Sequence, residues 1–299
     1  LSLRARLLCG WLRQTEKRVI ARAEDPATLR RRVERSARLF FHPPRGTVFD
    51  EIALGADLAA TRVTPAKERR GAPLILYLHG GGYVFGAPRT HRAMMAQLAM
   101  RTGSCAVLPR YRLAPEHPFP AAIDDAMAAY RAVMDHPQGV ILGGDSAGGG
   151  LALALLAQIT QEGLRQPLAT FCFSPLTDVT FSGDSFAANA EIDPLLPAHR
   201  AEDIAQMYLQ GADPADPRAS PLFAEFAGAA PVWLTVSDTE ILLDDTRRMA
   251  GRLTDQGVDV TCTIAPGLPH VWPLMHVILP EARQTLDELA AWITSLSRR

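Results

Sequence analysis

The sequence predicts an open, mostly parallel α/β sheet of eight strands with helices on both faces. Three observations predict it. After Gly46, apolar runs of strand length alternate with segments of helix length. Some of these runs, such as Leu74–Leu78, are apolar throughout, as in a strand buried on both faces. One interval, the 58 residues between Phe173 and Val232, far exceeds the ~2–6 residues of an ordinary connection and reads as an insertion above the sheet.

The elements follow in order. In residues 1–45, Leu8, Trp11, Leu12 and Thr15, then Leu29, Val33 and Ala37, recur at helical spacing. Pro26 divides them into two predicted helices, and Asp25-Pro26 is a helix-start pairing. His42-Pro43-Pro44-Arg45-Gly46 ends the segment. Val48–Leu54 and Leu58–Val63 read as paired strands joined at Gly55-Ala56. Strand Leu74–Leu78, helix Thr90–Arg101, strand Cys105–Leu108, helix Ala121–Met134, strand Val140–Leu142, helix Ala147–Gln161 and strand Ala169–Phe173 come next. The Pro-rich insertion carries a predicted helix at Pro197–Gln210. Strand Val232–Val236, helix Leu243–Gln256, strand Val258–Ile264 and a helix near Glu281–Leu296 complete the chain.

Composition narrows the function. With 299 residues, 47% hydrophobic and 21% charged, the chain can bury a large core, and disorder, collagen and coiled coil are excluded. A net charge of -1 gives no overall pull toward nucleic acid. The first 45 residues differ: eleven arginines and one lysine face four acids, a local charge of +8. The plain reading is a solvated basic face on helices packed against the main body. The functional readings are a lid, a membrane-surface helix or a partner-binding helix.

The longest uncharged, mostly apolar run, Ala147 to Ile159, is shorter than the ~18–20 residues of a membrane span. Basic residues interrupt the first twenty residues, unlike the centre of a signal peptide. Because the chain begins at Leu1 rather than Met, a removed leader stays open. Cys9, Cys105, Cys172 and Cys262 form no C-x-x-C pair, and Cys105 and Cys172 read as core thiols. A reducing, cytoplasmic compartment is the expectation. No H-E-x-x-H or other zinc cluster is present, so neither a metal nor a cofactor is expected.

The sharpest motif is Gly144-Asp145-Ser146-Ala147-Gly148, between a predicted strand and an apolar helix. A strand-to-helix turn this tight holds its central serine in strained geometry. Side chains two residues either side would collide, hence Gly144 and Gly148. The helix start aims amide groups and a positive dipole end at the same point. A phosphate cradle is the competing reading. It fails because the glycines lack G-x-G-x-x-G spacing, no Lys-Ser/Thr follows, and strand Ala169–Phe173 ends at Ser174 without an acid. His79-Gly80-Gly81-Gly82-Tyr83 follows strand Leu74–Leu78. Its backbone amides can approach a substrate oxygen and, with that of Ala147, stabilise an anionic intermediate.

Together, H-G-G-G-Y, the stretch Tyr111-Arg112-Leu113-Ala114-Pro115-Glu116-His117-Pro118-Phe119-Pro120-Ala121-Ala122, and G-D-S-A-G-G resemble the bacterial hormone-sensitive-lipase-like esterases. The resemblance implies an α/β-hydrolase fold with a helical cap. Residues 1–45 and 175–230 would form the cap, and 46–174 with 231–299 the catalytic domain. It implies a carboxylic-ester hydrolase for small or short-chain acyl esters, working through a covalent acyl-enzyme, and a possible homodimer through the last strand.

The implied nucleophile is Ser146, the oxyanion donors are Gly80, Gly81 and Ala147, and Tyr83 is a substrate-binding candidate. The base is His270, in Gly267-Leu268-Pro269-His270-Val271-Trp272, with His276 as its nearest rival. The acid departs from the family pattern D-P-L-x-D-E: here Ser237-Asp238-Thr239-Glu240-Ile241-Leu242-Leu243-Asp244-Asp245 follows the strand. Aligning Leu242 and the Asp244-Asp245 pair puts Glu240 in the acid's place, with Asp238 and the Asp244-Asp245 pair as rivals. Acyl transfer, amide or lactone hydrolysis would use the same residues. A ligand receptor on this fold is the remaining alternative.

Overall fold

The computed structural model describes residues 1–22, 25–55 and 58–296. Its eight strands form one sheet in the order β1-β2-β4-β3-β5-β6-β7-β8. β1 (Val48–Leu54) and β2 (Leu58–Thr64) are antiparallel, from Val48 opposite Thr64 to Leu54 opposite Leu58. Ala56 of the predicted Gly55-Ala56 joint lies outside the described residues. β2 also runs antiparallel to β4 (Ala106–Pro109). The remaining pairings are parallel and join β3 (Leu74–Leu78), β5 (Val140–Asp145), β6 (Ala169–Phe173), β7 (Val232–Ser237) and β8 (Val260–Ala265).

Strand periodicity explains the continuous apolar runs. Ile75 and Tyr77 of β3 face Met94, Met95 and Leu98 of α4 (Pro88–Thr102) in one core, which α10 (Pro280–Leu296) completes with Leu286 and Leu289. Leu76 and Leu78 join the opposite core. There α5 (Ala121–Val133), α6 (Ser146–Gln161) and α9 (Leu243–Asp255) supply Ile123, Tyr130, Leu151, Met249 and Leu253. Every residue of β5, β6 and β7 is buried.

Three helices replace the two predicted before Gly46: α1 (Leu3–Gln14), α2 (Glu16–Arg22) and α3 (Pro26–Phe40). The extra break falls at Thr15, whose hydroxyl donates to the Trp11 carbonyl at 2.8 Å. The backbone at Thr15, with φ -118° and ψ -78°, departs from ideal helix angles, a local change that apolar spacing alone does not register. The Asp25-Pro26 start is as expected: the Asp25 carboxylate accepts from the amides of Ala27 and Thr28, each at 3.0 Å. Arg30 of α3 ties this region to the loops after β3 and β4. Its guanidinium donates to the Val84 and Ala114 carbonyls at 2.7 Å and to Glu116 at 2.7 and 2.8 Å.

The insertion holds α7 (Asp184–Ala188), α8 (Ala198–Leu209) and a short 3-10 turn at Pro221–Phe223. α8 lies one residue inside each predicted end, because Pro197 is extended and Gln210 adopts a left-handed conformation. β8 begins two residues later than the predicted Val258–Ile264, since Val258 instead closes the end of α9 by donating to the Leu253 carbonyl. The four cysteines are free. Cys172 is buried as expected, whereas Cys105 is only partly buried. No helix among the described residues is long and apolar enough to cross a membrane.

Candidate active site

β5 ends at Asp145 and α6 begins at Ser146, so no loop separates strand from helix. Ser146 therefore takes φ +53°, a left-handed conformation that costs a non-glycine residue about 1–3 kcal/mol. A Cβ on Gly144 would lie 2.2 Å from the Gly148 carbonyl oxygen, and one on Gly148 would lie 2.2 Å from that of Leu78. The turn is thus closed by direct backbone contact, and either side chain would force it open.

Asp145 stands at the start of α6 without capping it. Its carboxylate instead accepts from the Tyr77 hydroxyl at 2.7 Å and the Gly80 amide at 3.0 Å, and meets His91 Nε2 at 3.2 Å. Burial opposes its charge, but His91 and these hydrogen bonds outweigh burial and hold the carboxyl below its ordinary range. The first amides of α6, which have no partner within the helix, are consequently not satisfied by this side chain.

His270 lies after β8 and lines the same cavity as Ser146. Its Nδ1 meets Glu240 Oε2 at 2.5 Å. The other oxygen, Oε1, accepts from Ser174 Oγ at 2.8 Å and the Ser237 amide at 2.7 Å. Both carboxylate oxygens are therefore occupied, and Glu240 is fully buried. Burial depresses the imidazolium, but the charge and hydrogen bond of Glu240 outweigh it, helped by Asp193 and Asp145, and raise the His270 pKa above its ordinary value.

The rivals sit elsewhere. Asp238 accepts from the Gly267 amide at 2.7 Å and so fixes the turn leading to His270. Asp244 accepts from the Ser185 amide, and Asp245 from those of Thr177 and Asp178. His276 is buried beside Phe41, with ring centroids 6.3 Å apart.

Ser146, His270, Gly80, Gly81, Gly82 and Tyr83 line one cavity of about 480 Å³, mostly apolar, which α1, α2, α3 and α8 cover. Tyr83 stacks on Tyr208 of α8, with centroids 3.8 Å apart.

Residues 75–274 match a family described as having the alpha/beta hydrolase fold. The chain belongs to the α/β-hydrolase family. An acetyl-hydrolase of Streptomyces hygroscopicus is 37% identical over 234 residues, covering 77% of this chain and 78% of its own. A crystal structure of EstE5 soaked with p-nitrophenyl butyrate superposes with a TM-score of 0.92 at 34% identity, covering all of both chains. An esterase from the bacterial hormone-sensitive lipase family also reaches 0.92 at 34% identity, covering 99% of both chains. The resemblance read from the motifs is thus to the right branch of the α/β hydrolases.

Within this α/β hydrolase, Gly80, Gly81 and Gly82 all line the cavity. The single N–H of Gly80 is engaged by Asp145, and Gly80 is buried. Gly81 and Gly82 are partly exposed and line the cavity.

His79 is a scaffold. It stacks on Tyr111 at 4.3 Å, and burial, with the nearby His91, lowers its pKa to about 3, leaving it neutral.

Sequence reading also missed the residues behind Glu240. One of them is Ser174, whose hydroxyl donates to Glu240. The Asn189 side chain donates to the Asp238 and Glu240 carbonyls at 3.0 and 2.8 Å. Asp193 accepts from the Ile241 amide at 3.0 Å. The position of Ser174 at the carboxyl end of a central strand was the one available signal. Asn189 and Asp193 lie in the insertion and carry none.

Proposed function

We propose that this α/β hydrolase is a carboxylic-ester hydrolase for small or short-chain acyl esters. The observation that carries the reading is the Glu240–His270 pair, buried at 2.5 Å and opening on the cavity that holds Ser146 in its strained turn. Ser146 Oγ attacks the ester carbonyl while His270 Nε2 takes its proton. Glu240 holds the imidazole by Nδ1 and stabilises the imidazolium. The tetrahedral oxyanion forms against the amides of Gly81, Gly82 and Ala147. Its collapse breaks the bond to the alcohol oxygen, which receives the proton from His270. Water, deprotonated by His270, then releases the acid from the acyl-enzyme. Tyr83 forms part of the wall against which the substrate lies.

In this reading residues 1–45 and 175–230 are the cap, and 46–174 with 231–299 the catalytic domain. β8, the last strand, is the sheet edge through which a homodimer would form. The four free cysteines support a reducing compartment such as the cytoplasm.

The deciding experiment is hydrolysis of p-nitrophenyl esters from acetate to palmitate by the wild type and Ser146→Ala. Turnover that peaks among the short chains and vanishes in the variant is expected. No ester hydrolysis, or equal activity in the variant, would reject the reading.

The oxyanion assignment has its own test. A Cβ on Gly81 would lie 2.2 Å from the Phe85 carbonyl oxygen, and its φ of +124° suits only glycine. Gly81→Val should displace the loop and lower kcat by about 10²–10³, the usual effect of losing one donor. KM should change less, because these bonds strengthen in the transition state. A change confined to KM would make the loop a binding element only.

A further inference from the structure

We propose that the outer face of the N-terminal helices is a docking surface for an anionic lipid bilayer and presents the mouth of the catalytic cavity to it. Leu3, Leu7 and Trp11 recur every four residues along α1 and are 67%, 67% and 48% exposed. The opposite stripe, Ala5, Cys9 and Leu12, is buried against the body. α1 is therefore apolar on both sides, and its outward stripe is left to solvent.

Leu39 and Phe40, at the end of α3, are also exposed, as are Val277 and Ile278. Arg4 donates to the Ile278 carbonyl, which places this pair beside α1. Trp11, Phe40 and Ile278 each line the catalytic cavity while remaining exposed, so they form its rim.

Charge selects the occupant. Arg4, Arg6, Arg13, Arg35 and Arg38 are exposed on the helices that carry these apolar residues. Residues 1–45 hold +8 in a chain whose net charge is -1, so the rest of the molecule is negative. A negative surface would attract this face and not the rest of the molecule as a whole. A second copy of the chain would bring the same positive patch against it in a symmetric contact, which like charges disfavour. The cores of protein interfaces are depleted in charge, whereas helices lying in a bilayer surface pair arginines with leucine and tryptophan.

The test is co-sedimentation with vesicles of phosphatidylcholine alone and of phosphatidylcholine with phosphatidylglycerol, at low and high salt. Binding is read without catalysis, so its failure is distinct from failure of the ester reading; Ser146→Ala should bind like the wild type. Binding to the anionic vesicles should weaken about tenfold or more at high salt, and neutral vesicles should bind about tenfold or more weakly than anionic ones at low salt. Leu3→Ser/Leu7→Ser and Arg6→Glu/Arg38→Glu should each weaken it by about tenfold or more and leave turnover of soluble p-nitrophenyl acetate unchanged. The two variants are independent, so loss of folding in one leaves the other to decide. No binding to anionic vesicles, equal binding to neutral ones, or indifference to the folded variants would overturn the proposal. So would a wild type that sediments as a dimer and a Leu3→Ser/Leu7→Ser variant that does not, which would make the face a contact between copies.

Discussion

Ser146→Ala is expected to lower kcat by about 10⁴–10⁶ while the protein remains folded, the range seen when the nucleophile of a serine hydrolase is removed. Neither serine that bonds Glu240 is placed to substitute. Ser174, whose hydroxyl donates to Glu240, is fully buried. Ser237 is equally buried and bonds to the Leu268 amide and the Thr239 hydroxyl. Alanine also relieves nothing at φ +53°, so the turn should persist and thermal unfolding should move little. Single-turnover kinetics with p-nitrophenyl acetate, together with labelling by a serine-directed phosphonate, checks this. Label on Ser174 or Ser237 of the wild type would falsify the assignment.

Glu240→Ala should cost up to about 10⁴ in kcat, the scale of a disabled triad acid. It removes the partner of His270 Nδ1 and strands the Ser174 hydroxyl and Ser237 amide that now bind Oε1. Asp238→Ala should be far milder, because Asp238 holds the Gly267 amide and makes no contact with the imidazole among the described residues. The reverse ranking of these two variants would shift the acid by two residues.

A pH profile separates the roles further. Only neutral His270 can accept the serine proton, so kcat/KM should fall with acid through the His270 pKa, which lies above the ordinary 6.5. Glu240→Gln removes the charge that raises it and leaves the burial that lowers it. The acid limb of whatever activity remains should therefore move to lower pH. A limb that stays in place would mean that another group sets it.

How far the sequence could be read differs from one residue to the next. The serine turn was legible because it is local: a strand, a helix and two close-approach glycines within a few residues leave one geometry. Strand β3 was legible because a run apolar on both faces fits a strand covered on both sides. The break at Thr15 was not, since apolar spacing runs through it and only the backbone angles there depart from the helix. Nor was the role of Arg30, one of several arginines on its helix and distinguished only by the carbonyls and Glu116 that another part of the chain brings to it.

By itself, the sequence determined the layered α/β architecture, the serine turn, the glycine loop and the place of His270, because each rests on periodicity or on chemistry confined to a short segment. Only the tertiary structure decided which carboxylate meets His270. Asp238 and Glu240 are two residues apart, and what separates them is the direction each takes at the end of β7: Asp238 toward the Gly267 amide, Glu240 inward to His270. It likewise decided that Gly80 spends its amide on Asp145, and that Ser174, Asn189 and Asp193 converge behind Glu240. The physical reason is that a hydrogen bond is satisfied once and at short range. Which of several competent donors or acceptors makes it depends on groups far apart in the chain, and only the folded packing brings those groups together.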